Sequence, residues 1–216
     1  MVGSQRIPSG QHYKLLANRV LTMKKLKIAI DIDDCIAEYT RTLTFFYNKV
    51  YDGQLTINDI KVWDLKTAYE KTGTPESIRA LMDCFIQHPS FLQMAEVPGA
   101  TAAIRRLIEE GHEVFFISAR GSKAIDLCYK WFYEHNLPLK NIYFNRDKWW
   151  LVDKLGIDVM IDDGMHNLNA IETQLPGRVE CVVFERPWNE KAASVGPVHR
   201  ANTWPTIIRM VEHLAQ

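Results

Sequence analysis

From Pro98-Gly99 to the C-terminus, short apolar runs alternate with segments of helical periodicity, and this alternation confines the chain to one fold class. Residues 114–117 read as a strand ending at Ser118-Ala119-Arg120, 123–135 as a helix and 142–144 as a short strand. A helix over 147–155 is stopped by Gly156, and a strand over 157–161 ends at Asp162-Asp163-Gly164. A helix over 166–174, a strand over 179–184 and a closing helix over 206–214 complete the series. Parallel neighbours need a crossover, so repeated strand–helix units give an α/β fold, a mainly parallel sheet wrapped by helices. The β-branched run at 26–30 adds a strand at the N-terminal side.

Between that strand and the Pro98 helix lies an insertion of about 50–60 residues, longer than an ordinary βα connection. It reads as helical. A stripe over 36–50 (Ile36, Leu43, Phe46/Tyr47, Val50) ends at Asp52-Gly53, and Thr56-Ile57-Asn58-Asp59 is a helix-start signal. Thr74-Pro75-Glu76 is another, opening a helix with Ile78, Leu81, Met82 and Phe85 inward. The expected organisation is a core over 23–40 and 96–216, with a small helical cap over 41–95 above the sheet edge. Residues 1–22 stand apart: the first 27 residues hold no acid but carry Arg6, Lys14, Arg19, Lys24, Lys25 and Lys27. They read as a leader or added tag, with Met23 the natural beginning.

The 26 basic side chains balance the 26 acidic ones, which argues against a nucleic-acid-coating or membrane-surface protein. No apolar run is long enough to span a bilayer. The four cysteines (Cys35, Cys84, Cys128, Cys181) form no CxxC pair and lie in apolar segments. They are expected as buried free thiols in a reducing, cytoplasmic setting, or a mitochondrial one if the basic leader is natural.

The chemistry is concentrated where strands end. Ile28-Ala29-Ile30-Asp31-Ile32-Asp33-Asp34 is an apolar strand running into three carboxylates, too costly to bury unpaired in a strand interior. Ligands of open parallel sheets bind beyond the carboxyl ends of the strands, where Asp31/Asp33, Ser118 and Asp162/Asp163 all lie. The spacing suits Asp31 as a nucleophile towards phosphorus and Asp33 as the proton donor and later base. Mg²⁺ is expected on Asp31 and Asp163, with Asp162 nearby and Asp33 in the ligand set. Ser118 would bond a phosphoryl oxygen, and Lys148 would neutralise developing charge. Each residue has a plainer reading. Asp at a strand end is commonly a helix cap, Asp162-Asp163-Gly164 alone reads equally as a turn, and Ser118 alone reads as a cap. Lys148 competes with Lys154, later in the same helix. Trp149-Trp150 reads as helix-to-sheet packing, and the seven histidines show no ligand spacing.

Asp31-x-Asp33, Ser118, Lys148 and Asp162-Asp163 resemble, in order and spacing, the four motifs of the haloacid-dehalogenase-like phosphatases. The resemblance runs from residue 26 onward and implies a Rossmann-like core with a C1-type cap. Asp31-Ile32-Asp33-Asp34, Trp63-Asp64-Leu65, Ser118-Ala119-Arg120, Asn145-Arg146-Asp147-Lys148 and Phe184-Glu185-Arg186-Pro187-Trp188-Asn189 resemble most the 5′(3′)-deoxyribonucleotidases and their bacterial and phage relatives. This implies Mg²⁺-dependent phosphomonoester hydrolysis through an aspartyl-phosphate, a nucleoside monophosphate as substrate, and a homodimer. It also ranks Asp163 above Asp162 as the direct metal ligand. Asp34-Cys35 depart from the small residue followed by Thr or Val that many members carry. For the substrate, the insertion offers aromatic side chains (Trp63 foremost, Phe45 among the others) as a base platform, and Arg120 as a phosphate ligand or helix cap. A sugar phosphate or other small phosphoester is the alternative substrate. A non-catalytic phosphate-binding protein is the alternative of a different kind.

Overall fold

The computed structural model describes residues 24–69 and 74–216, so the leader expected over 1–22 lies outside the described residues. Six parallel strands form one sheet: β1 (Lys27–Ile30), β2 (Glu113–Ser118), β3 (Ile142–Phe144), β4 (Val159–Asp162), β5 (Glu180–Phe184) and β6 (His199–Ala201), in the order β3-β2-β1-β4-β5-β6. The chain builds outward from β1 to β3, then returns to the other side of β1 with β4. The strand order therefore reverses between β1 and β4, where Ile30 faces Ile161 in register. A crevice opens at the carboxyl ends of such a pair.

The alternation of side chains along the strands fills two apolar layers. Ile28, Ile30, Phe116, Ile161, Val182 and Phe184 point to one face. Helices α4 (Ala100–Glu109), α5 (Ile125–Glu134) and α8 (Trp204–Leu214) cover it with Ile104, Leu107, Trp131, Phe132, Trp204 and Ile207. Ala29, Phe115, Ile117, Met160 and Val183 point to the other, under α6 (Lys148–Leu155) and α7 (Met165–Gln174). At the end of α4, Gly111 takes φ 87°, the left-handed conformation that a helix terminus favours.

The insertion contributes α1 (Tyr39–Tyr51), a 3₁₀ turn (Ile57–Asp59), α2 (Leu65–Ala68) and α3 (Pro75–Gln87). Ile78, Leu81 and Phe85 of α3 are buried against the same layer as α1, with Met82 packed beside them. Thr74 caps α3 by accepting the Ser77 N–H at 3.3 Å. Ala37 bridges to Glu96, so the chain leaves the core and returns to it at adjacent points.

Several elements differ from the sequence reading. The helix expected from Ile36 begins at Tyr39. Before it, Ile36 N–H and Ala37 N–H both donate to the Ile32 carbonyl, and Asp34 adopts φ 58°, so 32–37 form a tight loop. The 56–59 signal yields only a single 3₁₀ turn, with Thr56 and Asp59 in a capping box. Strand β6 has no counterpart in the sequence pattern; its His-Arg-Ala sequence shows no apolar alternation, and pairing with β5 creates it. Cys35, Cys128 and Cys181 are buried free thiols, but Cys84 is exposed on α3. Trp149 packs on the sheet as expected, whereas Trp150 is 45% exposed.

Candidate active site

A cavity of about 780 Å³ opens at the carboxyl ends of β1, β2 and β4 beneath the insertion. Asp31 extends β1 by one residue, its N–H donating to the Ile161 carbonyl at 2.9 Å, so the ladder itself fixes the first carboxylate. Asp31 Oδ1 accepts the Ile32 N–H at 2.7 Å. Oxygens of Asp31, Asp162 and Asp163 lie within 4.8 Å of one another, all three residues being buried. Lys148, the first residue of α6, places Nζ 2.8 Å from Asp31 Oδ1 and 2.7 Å from Asp162 Oδ2.

One ammonium thus bridges two of three clustered buried carboxylates. Burial, and then the neighbouring carboxylates, push Asp31 well above the usual carboxylate range, with Lys148 pulling against them. Asp163 is raised for the same reasons, burial first. Burial works against the Lys148 charge, but Asp162 and Asp31 outweigh it and hold the ammonium above its ordinary value. The excess negative charge and the hard oxygen donors fit a divalent cation. The two aspartates of the β4 end differ. Asp162 is occupied by Lys148, by the Gly164 N–H at 2.8 Å and by Asn167 Nδ2 at 3.1 Å, and does not border the cavity. Asp163 does border it, with Oδ2 accepting the Trp188 indole N–H at 2.7 Å.

Asp33 also borders the cavity, but outside the three-carboxylate cluster. Arg120, itself buried, holds it from Nε at 3.1 and 3.2 Å and from Nη2 at 2.6 Å. Ser118, at the end of β2, is fully buried; its Oγ accepts the Arg120 N–H at 3.2 Å, and Ala119 and Arg120 form the cavity wall there. Asp34 turns away from the cluster. Its carboxylate accepts the Thr40 N–H at 3.0 Å and hydroxyl at 2.5 Å, and burial pushes its carboxyl up to about 7 against these bonds. The extra acid that departs from the resemblance is therefore a cap at the start of α1.

Trp63 lines the cavity with its ring 3.9 Å from that of His166. Phe45 does not. The phase of α1 turns Thr40, Leu43, Thr44 and Tyr47 inward and leaves Phe45 56% exposed beneath the Lys49 ammonium. His166, Asn167 and Trp188 at the cavity had no assigned role in the sequence reading. The first two sit one helical turn beyond Asp163, a position that the motif's own helix start could have flagged.

A sequence model of the 5′ nucleotidase, deoxy (pyrimidine), cytosolic type C protein family matches residues 24–216. A 5′(3′)-deoxyribonucleotidase of Bacillus subtilis is 26% identical over 171 residues, covering 77% of this chain and 88% of that protein. The fold matches a haloacid dehalogenase-like hydrolase from Streptococcus pneumoniae with a TM-score of 0.63 at 9% identity, over 87% of this chain and 98% of that one. It also matches the hydrolase YfnB of Bacillus subtilis, solved bound to magnesium, with a TM-score of 0.59 at 11% identity, over 87% and 99%. Among the described residues no helix is long and apolar enough to cross a membrane. The sheet order, the carboxylate cluster at its switch point and the family match over residues 24–216 lead to one conclusion: this chain has the fold of the haloacid dehalogenase-like hydrolases and belongs to the cytosolic type C 5′-nucleotidase family.

Proposed function

We propose that the chain hydrolyses nucleoside monophosphates, deoxynucleotides foremost, through a phosphorylated Asp31. The observation that carries this reading is the placement of Asp31 and Asp33 on one cavity, the first beside Lys148 and the second under Arg120. An Asp31 carboxylate oxygen attacks phosphorus, the bond to the nucleoside oxygen breaks, and that oxygen takes a proton from Asp33. Water then attacks the same phosphorus and gives its proton to Asp33. The acyl-phosphate P–O bond breaks, and inorganic phosphate leaves. Asp33 gives up a proton in the first step and regains one in the second, so the cycle closes.

Asp31 and Asp163 would hold Mg²⁺, which, when bound, screens the repulsion between carboxylate and phosphate. Lys148 keeps Asp31 oriented and offsets charge on the phosphoryl group. Ser118 fixes the Arg120 backbone, and its O–H would bond a phosphoryl oxygen. The insertion lines the cavity with Leu65, Met82, Ile86 and Trp63, an apolar wall suited to a nucleobase.

The test is phosphate release from deoxy- and ribonucleoside 5′- and 3′-monophosphates and from sugar phosphates, with Mg²⁺ or EDTA. A preference for nucleoside monophosphates that EDTA abolishes is expected. Equal turnover of sugar phosphates would overturn the substrate assignment.

A further inference from the structure

The segment following β5 takes no step in the mechanism above, yet it reaches both sides of the carboxylate cluster. Trp188 donates its indole N–H to Asp163 Oδ2 at 2.7 Å. Asn189, 1% exposed, spends both hydrogens of Nδ2, on the Asp163 carbonyl at 2.8 Å and the Phe184 carbonyl at 2.8 Å. Its Oδ1 accepts the Arg186 N–H at 3.1 Å. Arg186 in turn donates from Nε at 2.8 Å and Nη2 at 2.5 Å to the Asp34 carbonyl, its guanidinium stacked on Phe184. Three residues of one loop therefore tie the β4 end to the β1 end across the switch point.

We propose that Arg186, Trp188 and Asn189 are positioning residues that fix the Asp163 carboxylate, and the loop that follows Asp31, for the divalent cation. This rests on the reading of Asp163 as a cation ligand. Packing alone would be met by any large apolar side chain at 188. The buried indole N–H instead engages one Asp163 oxygen, which sets the carboxylate plane and leaves Oδ1 for another partner. Next to Asp31 and Asp162, an untethered carboxylate lowers its energy by rotating away from its neighbours. The left-handed Asp34 needs a tether of its own, because a non-glycine residue at φ 58° is held there only by its surroundings. Partners of metal ligands in this position change metal affinity by about 10–100-fold.

The experiment is isothermal titration calorimetry of the full chain with Mg²⁺ alone, together with thermal unfolding in EDTA. Wild type is compared with Trp188→Phe, Arg186→Lys and Asp163→Asn. Trp188→Phe is expected to bind Mg²⁺ about 10–100-fold more weakly while its unfolding in EDTA stays near wild type. Arg186→Lys, at a partly exposed position, is expected to weaken binding about tenfold, which keeps the idea testable if Trp188→Phe does not fold. Wild-type Mg²⁺ affinity in both variants, with Asp163→Asn impaired, would overturn the brace and leave the proposed metal site standing. Wild-type affinity in Asp163→Asn would overturn both.

Discussion

Arg120 grips Asp33 through both carboxylate oxygens, with Nη2 2.6 Å from Oδ1 and Nε within 3.2 Å of each oxygen. The guanidinium also lies over the Phe91 ring at 5.0 Å, so it is fixed on a second side. Burial opposes the Arg120 charge, and Asp33 more than compensates, keeping the guanidinium firmly ionised. Arg120 is thus bonded to Asp33, the proposed acid–base residue.

Arg120→Lys removes the fork but keeps the charge. It is expected to lower kcat about tenfold on nucleoside monophosphates, where general acid–base help is worth about 10²–10⁴ in rate. The loss should shrink with p-nitrophenyl phosphate, whose leaving group needs no proton. Steady-state kinetics on both substrates check this, and an equal loss on both would assign Arg120 to phosphate binding.

Lys148→Met leaves Asp31 and Asp162 facing each other in a buried site with no ammonium between them. Removing one partner of a buried ion pair costs about 3–5 kcal/mol. The variant should unfold at markedly lower urea than wild type in EDTA and show no turnover. Urea titrations with and without Mg²⁺ measure this, and cation binding to the native state should recover part of the loss.

Trp63→Ala is expected to raise KM for nucleoside monophosphates about tenfold, within the range of about 1–3 kcal/mol for base stacking. KM for a small phosphoester without a base should not move. Phe45→Ala should leave both values at wild type, because Phe45 lies outside the cavity.

His112 makes stability depend on pH. Its Nδ1 accepts the Leu26 N–H at 3.1 Å, so Nε2 carries the proton and is buried with no hydrogen-bond partner among the described residues. Burial lowers its pKa, Lys25 adds to that, and Glu110 opposes it. The unfolded chain takes up a proton near pH 6.5 and the folded one only lower, so this contribution is full above about 6.5 and falls as pH drops through that value. Urea midpoints at pH 7.5 and 5.5 should separate more for wild type than for His112→Asn.

The sequence displayed the sheet and the acids because of local pattern: a short β-branched run such as Ile28-Ala29-Ile30 favours a buried strand, and the carboxylates that follow favour its end at Asp31. Lys148 was a matter of spacing, and its contact with Asp162 needed the start of α6 and the end of β4 to meet in the folded chain. The phase of α1, which decides between Phe45 and its inward neighbours, was hidden because aromatic residues at 45, 46 and 47 occupy three directions of the same helix. The roles of Arg186 and Trp188 were illegible, since both depend on contacts more than twenty residues away. Strand β6 exists through its neighbour and not through its own three residues.

The central claim is the phosphorylated Asp31, and a rapid acid quench with nucleoside monophosphate labelled at phosphorus tests it most directly. With Mg²⁺, wild type should carry label in a hydroxylamine-labile form that maps to Asp31, and Asp31→Asn should carry none and release no phosphate. Full turnover by Asp31→Asn, or label lodged on another residue, would contradict the account.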